Sequence, residues 1–223
     1  MPLRYQAVLF DLDGTLVNTL GDIAVAMNRI LQQRGWPAHD EADYRMLVAE
    51  GVEALVAGAL PEAQRDPATV RSCLQEFDEE YGCTAGTSAQ AYAGIGDLLD
   101  EIETRGLRKA VLTNTQHELA GRVVSRVFDE GRFDFVQGAR EGLPVKPHPG
   151  SALALSQLLG VEPGRVLYLG DSGVDMRTAL GAGMFPVGAL WGFRTRKELV
   201  DAGAACTVAD PREVLALLDG RPK

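Results

Sequence analysis

Short apolar runs alternate with amphipathic segments along most of this chain, and this alternation limits the folds that it can adopt. The apolar runs occur at residues 7–10, 109–113, 133–136, 165–169, 185–190 and 205–208. Several lack a polar–apolar alternation, as expected where helices cover both faces of a parallel sheet. Helical patterns lie between them at residues 96–105, 117–128, 149–159 and 211–218. This order predicts an α/β fold with a doubly wound, Rossmann-like parallel sheet as its core.

One long segment interrupts the alternation. Between residues 17 and 87 the sequence has only helical patterns, separated by Gly35, Pro37, Pro61 and Pro67. We therefore predict an all-helical cap domain that is inserted after the first strand. The predicted boundaries are residues 1–16 and 88–223 for the α/β core and residues 17–87 for the cap.

The composition favours a globular protein and opposes a polyanionic partner. A chain of 223 residues with 46% hydrophobic residues can bury a sizeable core. It has 31 acidic against 22 basic residues and a formal net charge of -9, which opposes binding to nucleic acids and to anionic membranes. An anionic substrate would therefore need a local positive site.

The cysteines and the N-terminal segment indicate the cellular compartment in which the protein is expected. Cys73, Cys83 and Cys206 are far apart and form no CxxC pair, so the sequence indicates neither a disulfide framework nor a zinc site. The apolar run at residues 7–10 is too short for a signal peptide or a membrane span. We expect a cytoplasmic protein, with a monomer or a homodimer as the default assembly.

Polar residues follow three of the predicted strands. Asp11 and Asp13 come directly after the first strand, Thr113 and Asn114 end the second, and Asp171 follows the strand at residues 165–169. Ligands of open α/β sheets bind beyond the carboxyl ends of the strands, so these side chains are expected to meet at one edge.

Charge at this edge predicts a cation. Several carboxylates in one place repel one another unless a positive charge offsets them. Lys146, in a loop stiffened by Pro147 and Pro149, supplies one ammonium group. The other candidate ligands are oxygen atoms, with no histidine or cysteine among them, which favours Mg²⁺.

In order, these motifs are DLDGT at residues 11–15, Thr113 in VLTN, Lys146 in KPHP and GDSGVDM at residues 170–176. The set resembles the four motifs of phosphatases in the haloacid dehalogenase-like superfamily. The insertion after the first motif is similar to that superfamily's helical cap, so the resemblance covers essentially the whole chain. In particular, the chain looks like the phosphoglycolate phosphatase subgroup.

The resemblance implies an Mg²⁺-dependent phosphatase that passes through an aspartyl-phosphate. Asp11 would be the nucleophile and Asp13 the general acid and base. Thr113, Asn114 and Lys146 would bind the phosphoryl group. The implied metal ligands are Asp11, the backbone carbonyl of Asp13, and Asp171.

The expected substrate is a small phosphorylated metabolite, with 2-phosphoglycolate as the first choice. Arg45 and Arg194 are candidates for binding a second anionic group, since a guanidinium matches a carboxylate in geometry. Ala49 departs from the subgroup, which usually has glycine in this cap loop, and so bears on substrate choice.

Two alternatives stay open beside the phosphatase. A sugar-phosphate mutase, or another phosphoryl transferase of the same superfamily, shares the core motifs. A signalling receiver domain also holds an aspartyl-phosphate with Mg²⁺, Thr and Lys. Its phosphorylated aspartate lies on a middle strand and it has no cap, so Asp11 and the insertion favour the phosphatase.

Overall fold

The core sheet has six strands, and each neighbouring pair is parallel; from one edge to the other they span residues 135–139, 108–116, 7–10, 166–170, 185–189 and 206–208. A computed structural model describes residues 4–48 and 52–219. The sheet strands are β1 (Ala7–Phe10), β4 (Arg108–Gln116), β5 (Phe135–Ala139), β6 (Val166–Gly170), β7 (Phe185–Ala189) and β8 (Cys206–Val208). The predicted doubly wound α/β fold class is confirmed.

Helices lie between these strands, and a last helix follows β8. They are α5 (Ile95–Thr104), α6 (His117–Val127), α7 (Gly150–Leu159), α8 (Gly173–Gly181), α9 (Arg196–Asp201) and α10 (Glu213–Leu218). On one face of the sheet, Leu9 of β1 and Tyr168 of β6 belong to a core cluster with Leu155 of α7 and Ala179 of α8. Successive residues of a strand point to opposite faces of the sheet, so Phe10 lies on the other face from Leu9. There its ring packs against Phe133.

The inserted segment is helical but does not begin as a helix. Val17–Asn18 forms a short strand, β2, which pairs with β3 (Gln90–Ala91) in a separate two-stranded sheet. The expectation of only helical structure from residue 17 onward is therefore wrong for these residues. Two-residue strands depend on a partner far along the chain, so no local pattern marks them.

The chain divides into two compact units: residues 19–90, and the remaining described residues up to 18 and from 91 onward. The helices of the smaller unit are α1 (Leu20–Gln33), α2 (Glu41–Leu47), α3 (Val52–Ala59) and α4 (Pro67–Thr84), with a 3-10 turn at Glu62–Gln64. Asp66 caps α4 by accepting from the backbone N–H groups of Ala68 and Thr69. No helix among the described residues has the length and apolar character to cross a lipid bilayer.

Asp22, near the start of α1, holds the segment that follows α4. Its side chain is 1% exposed. It accepts hydrogen bonds from the backbone N–H of Gly86 (2.6 Å) and of Ser88 (2.8 Å), and from the hydroxyls of Thr87 (3.0 Å) and Ser88 (2.6 Å). One carboxylate therefore joins the first and last parts of the smaller unit.

Replacing Asp22 by alanine should destabilise the protein by about 2–3 kcal/mol, because several charge-assisted hydrogen bonds are lost at once. Urea unfolding measures the change. The matched control is Glu79→Ala on the exposed side of α4, for which we expect less than about 0.5 kcal/mol. Equal free energies of unfolding for the two variants would contradict this account of Asp22.

Candidate active site

The six sequence-predicted site residues lie together at the carboxyl edge of the sheet. Asp11 and Asp13 follow β1, Thr113 and Asn114 belong to the end of β4, and Asp171 follows β6. The loop before α7 brings Lys146 to the same place. Parallel pairing of β1 with β4 and with β6 aligns these three strand ends. The backbone N–H of Asp11 extends the pairing by donating to the carbonyl of Leu169 at 2.9 Å.

Lys146 forms a buried ion pair with two carboxylates. Its Nζ donates to Oδ1 of Asp11 and to Oδ1 of Asp175, both at 2.6 Å. Burial opposes the charged ammonium, but the negative charges of Asp11 and Asp175 hold the pKa of Lys146 well above its ordinary value. The lysine is therefore a fixed, buried positive charge beside Asp11 and Asp175.

Asp11, Asp171 and Asp175 form a cluster of negative charge that one ammonium does not balance. Each offers one carboxylate oxygen, and these three atoms lie within 4.8 Å of one another. Burial, and then the charge of Asp175, raises the pKa of Asp11 well above its ordinary range. The same two causes raise the pKa of Asp171 to about 7. A cluster of hard oxygen donors with excess negative charge fits Mg²⁺.

A loop after β7 fixes the orientation of Asp171. The backbone N–H of Phe193 donates to Oδ2 of Asp171 at 2.7 Å. Gly192 allows this approach, because a Cβ there would overlap both the Asp171 carboxylate and the carbonyl oxygen of Gly14. Gly14 itself has a φ of 85°, the left-handed region that glycine tolerates. Together, these contacts hold Oδ2 of Asp171 in place beside the loop.

Asn114 uses its side chain to hold the lysine loop. Its Nδ2 donates to the carbonyl oxygen of Lys146, and its Oδ1 accepts from the backbone N–H of Lys146, both at 2.9 Å. The resemblance implies that Asn114 binds the phosphoryl group. The structure adds that its amide group positions Lys146.

The carboxylate of Asp13 contacts two hydroxyl groups of β4. Its Oδ2 accepts hydrogen bonds from the hydroxyls of Thr113 at 3.3 Å and Thr115 at 2.7 Å. Thr115 and Phe193 are not among the residues predicted from the sequence. Strand periodicity could have indicated Thr115, since residues two apart on a strand share a face. No local pattern could have indicated the backbone N–H of Phe193.

The two arginine candidates have different surroundings. Arg45 is exposed on α2. The side chain of Arg194 is 11% exposed, with Nε 3.3 Å from Oε1 of Glu198, and its positive charge lowers the pKa of Asp171 against the larger effects that raise it. The departure at Ala49 lies outside the described residues.

Comparison with known proteins decides the family. The model of the haloacid dehalogenase-like hydrolases matches residues 8–189. The chain belongs to this family. A phosphoglycolate phosphatase of Xanthomonas campestris pv. campestris is 34% identical to this hydrolase over 189 residues, which are 85% of each chain. An N-acetylmuramic acid 6-phosphate phosphatase of Pseudomonas aeruginosa is 31% identical, over 97% of this chain and 96% of that one.

A solved structure supports the same assignment. It is a provisionally assigned phosphoglycolate phosphatase from Lactobacillus delbrueckii subsp. bulgaricus. It superposes on this hydrolase with a TM-score of 0.88 and 27% sequence identity, and the alignment covers 97% of this chain and 99% of the other. The hydrolase is therefore a phosphoglycolate phosphatase-like member of its family.

Proposed function

We propose that this hydrolase cleaves a small phosphomonoester through a phosphorylated Asp11. The observation that carries the proposal is the contact between Asp11 and Lys146 beside an acidic cluster. A carboxylate can attack a phosphoryl group only if nearby positive charge offsets the repulsion between the two anions. Lys146 supplies such a charge 2.6 Å from Asp11 Oδ1.

The proposed reaction has two displacement steps at phosphorus. In the first, an oxygen of Asp11 forms a bond to phosphorus while the ester P–O bond breaks, and the leaving oxygen takes a proton from the carboxylic acid of Asp13. In the second, water attacks the aspartyl-phosphate and gives its proton to Asp13. The P–O bond to Asp11 breaks, so inorganic phosphate leaves and both aspartates return to their initial states.

Two side chains would orient the phosphoryl oxygens. The Thr113 hydroxyl, at the end of β4, and the Lys146 ammonium approach the same edge of the sheet from different elements. The backbone of Asn114 would add a donor. Phosphoryl transfer depends mainly on such positioning and on stabilisation of charge.

The acidic cluster would hold the metal ion. We propose that Asp11 and Asp171 bind Mg²⁺ through their carboxylates and Asp13 through its backbone carbonyl. Bound Mg²⁺ would offset the negative charge of the carboxylates and of the substrate's phosphoryl group. Asp175 holds Lys146 beside this cluster.

The first choice of substrate is 2-phosphoglycolate. Its support is the similarity to phosphoglycolate phosphatases, including the Xanthomonas enzyme. The similarity to a phosphatase named for N-acetylmuramic acid 6-phosphate makes a sugar phosphate the second candidate substrate, to be compared with 2-phosphoglycolate. We further propose that residues 17–87 act as a cap that selects the substrate. A cytoplasmic location accords with three free cysteines.

The test uses the purified chain with p-nitrophenyl phosphate and a panel of alkyl phosphates that includes 2-phosphoglycolate. We expect Mg²⁺-dependent release of phosphate, with 2-phosphoglycolate having the highest kcat/KM. Asp11→Asn should lower kcat by about 10³-fold or more, since it removes the nucleophile. A stable phosphorylated protein without turnover would instead indicate a receiver-like function, and activity of Asp11→Asn near that of the wild type would overturn the mechanism.

A further inference from the structure

The side chain of Asp13 is held on one of its two oxygens. Oδ2 accepts from the hydroxyls of Thr115 and Thr113, and the contact with Thr115 is the shorter one, 2.7 Å against 3.3 Å. Oδ1 is buried and has no hydrogen-bond partner in the part of the chain that the structure describes. Buried carboxylate oxygens usually have a partner, so Oδ1 has a hydrogen-bonding position left for a group from outside the described chain.

Thr115 also contacts the hydroxyl group of Thr113. The backbone N–H of Thr115 donates to Oγ1 of Thr113 at 3.0 Å. Because that contact occupies an acceptor position on Thr113, the hydroxyl proton of Thr113 is free to point toward Asp13. Thr115 thus donates to Oδ2 directly and also contacts the other hydroxyl that donates to Oδ2.

We infer that Thr115 is a positioning residue for proton transfer by Asp13, an inference that rests on the proposed function. With Oδ2 occupied by hydroxyl donors, the acid form of Asp13 carries its proton on Oδ1. That proton passes from Oδ1 to the leaving oxygen as the ester P–O bond breaks and the bond from Asp11 to phosphorus forms. The atoms balance, since the alcohol leaves neutral and Asp13 becomes a carboxylate.

The role of Thr115 increases once substrate is bound. Thr113 is proposed to donate to a phosphoryl oxygen, and its single hydroxyl proton cannot serve Asp13 at the same time. Thr115 then remains as the hydroxyl donor to Oδ2. Loss of this hydroxyl should free the Asp13 side chain to rotate and so lower the fraction of complexes in which Oδ1–H faces the leaving oxygen.

Leaving groups of different basicity give a test that separates positioning from general damage. An alkoxide needs a proton as it leaves, whereas p-nitrophenolate leaves as a stable anion. The experiment measures kcat/KM, which reports the phosphorylation of Asp11, for p-nitrophenyl phosphate and for the best alkyl phosphate of the panel. The ratio of the two values does not depend on the fraction of active protein, so partial misfolding of a variant leaves it unchanged.

Thr115→Val removes the hydroxyl at nearly constant volume. We expect kcat/KM to fall about 10- to 100-fold for the alkyl phosphate and less than about threefold for p-nitrophenyl phosphate. Thr115→Ser keeps the hydroxyl and should restore the wild-type ratio. Thr178→Val is the matched control, because the Thr178 hydroxyl is buried and bonds to the carbonyl of Val174 within α8.

If Thr115→Val has the wild-type ratio of the two kcat/KM values, whether both values fall equally or neither falls, the inference is overturned. The proposed function would stay intact. A shift of the ratio in Thr178→Val would also overturn the inference, since loss of any buried hydroxyl would then suffice. A wild-type protein that hydrolyses no ester of the panel with Mg²⁺ would overturn the proposed function, and the role of Thr115 with it.

Discussion

Replacing Lys146 by methionine should lower kcat/KM by about 10³-fold, because it removes the fixed positive charge beside the nucleophile. The Nζ atom contacts both Asp11 and Asp175 at 2.6 Å, and all three side chains are less than a tenth exposed. Removing one partner of such a buried pair leaves unbalanced charge, which costs about 3–5 kcal/mol of stability. Steady-state kinetics with p-nitrophenyl phosphate and urea unfolding measure the two effects.

Lys109→Met is the matched control for this substitution. Lys109 is also buried, but it pairs with Oε2 of Glu103 at 2.7 Å, and Glu103 is 64% exposed. Without the lysine, the Glu103 carboxylate remains in water, so we expect a smaller loss of stability and an unchanged kcat/KM. A Lys146→Met enzyme within tenfold of the wild type would contradict a role for Lys146 in charge stabilisation.

The fold could be predicted from the sequence because its strands are short, apolar and separated by amphipathic helices. Strand β1 has the predicted bounds, residues 7–10. Strand β4 was predicted to end at Thr113 but continues to Gln116. Its last residues are polar, and the pairing with β5 is irregular after Leu112 but resumes at Gln116, opposite Ala139. Pairing with a neighbouring strand overrides local polarity.

The candidate site could be predicted as far as its charged residues. Asp11, Lys146 and Asp171 belong to motifs in which chemistry and sequence position coincide, and the structure brings them together. The contacts that orient them follow no such rule. The Phe193 N–H that binds Asp171 belongs to a loop 22 residues away. Every residue except proline has a backbone N–H, so the residue type at position 193 does not indicate this contact.

Asp22 shows the same limit in the smaller unit. Acidic residues near the start of a helix usually reflect the helix dipole. Here the Asp22 side chain is buried and bonds to residues 64 to 66 positions along the chain. Only the three-dimensional structure separates such a residue from an ordinary first-turn aspartate.

Asp171→Asn should raise the melting temperature of the metal-free protein while it removes the stabilisation by Mg²⁺. The substitution removes one of three clustered negative charges and keeps an oxygen that can accept from the Phe193 N–H. Removing a buried charge, together with its repulsion by Asp175, should raise Tm by about 2–6 °C in EDTA. Wild-type protein should gain stability on adding Mg²⁺, because a ligand that binds the folded state shifts unfolding to higher temperature. The variant should gain little.

The pH dependence of this difference has a definite sign. The pKa of Asp171 rises from 3.8 to about 7 on folding, so its ionisation costs stability, and the cost grows as the pH rises from 3.8 to about 7. The Tm advantage of Asp171→Asn in EDTA should therefore be larger at about pH 8 than at about pH 5.5. Asp129→Asn makes the same charge change at an exposed position and should show neither the Tm advantage nor its pH dependence. An Asp171→Asn protein less stable than the wild type in EDTA at both pH values would mean that the carboxylate stabilises the metal-free fold. In that case, repulsion within the cluster could not be what draws a cation to it.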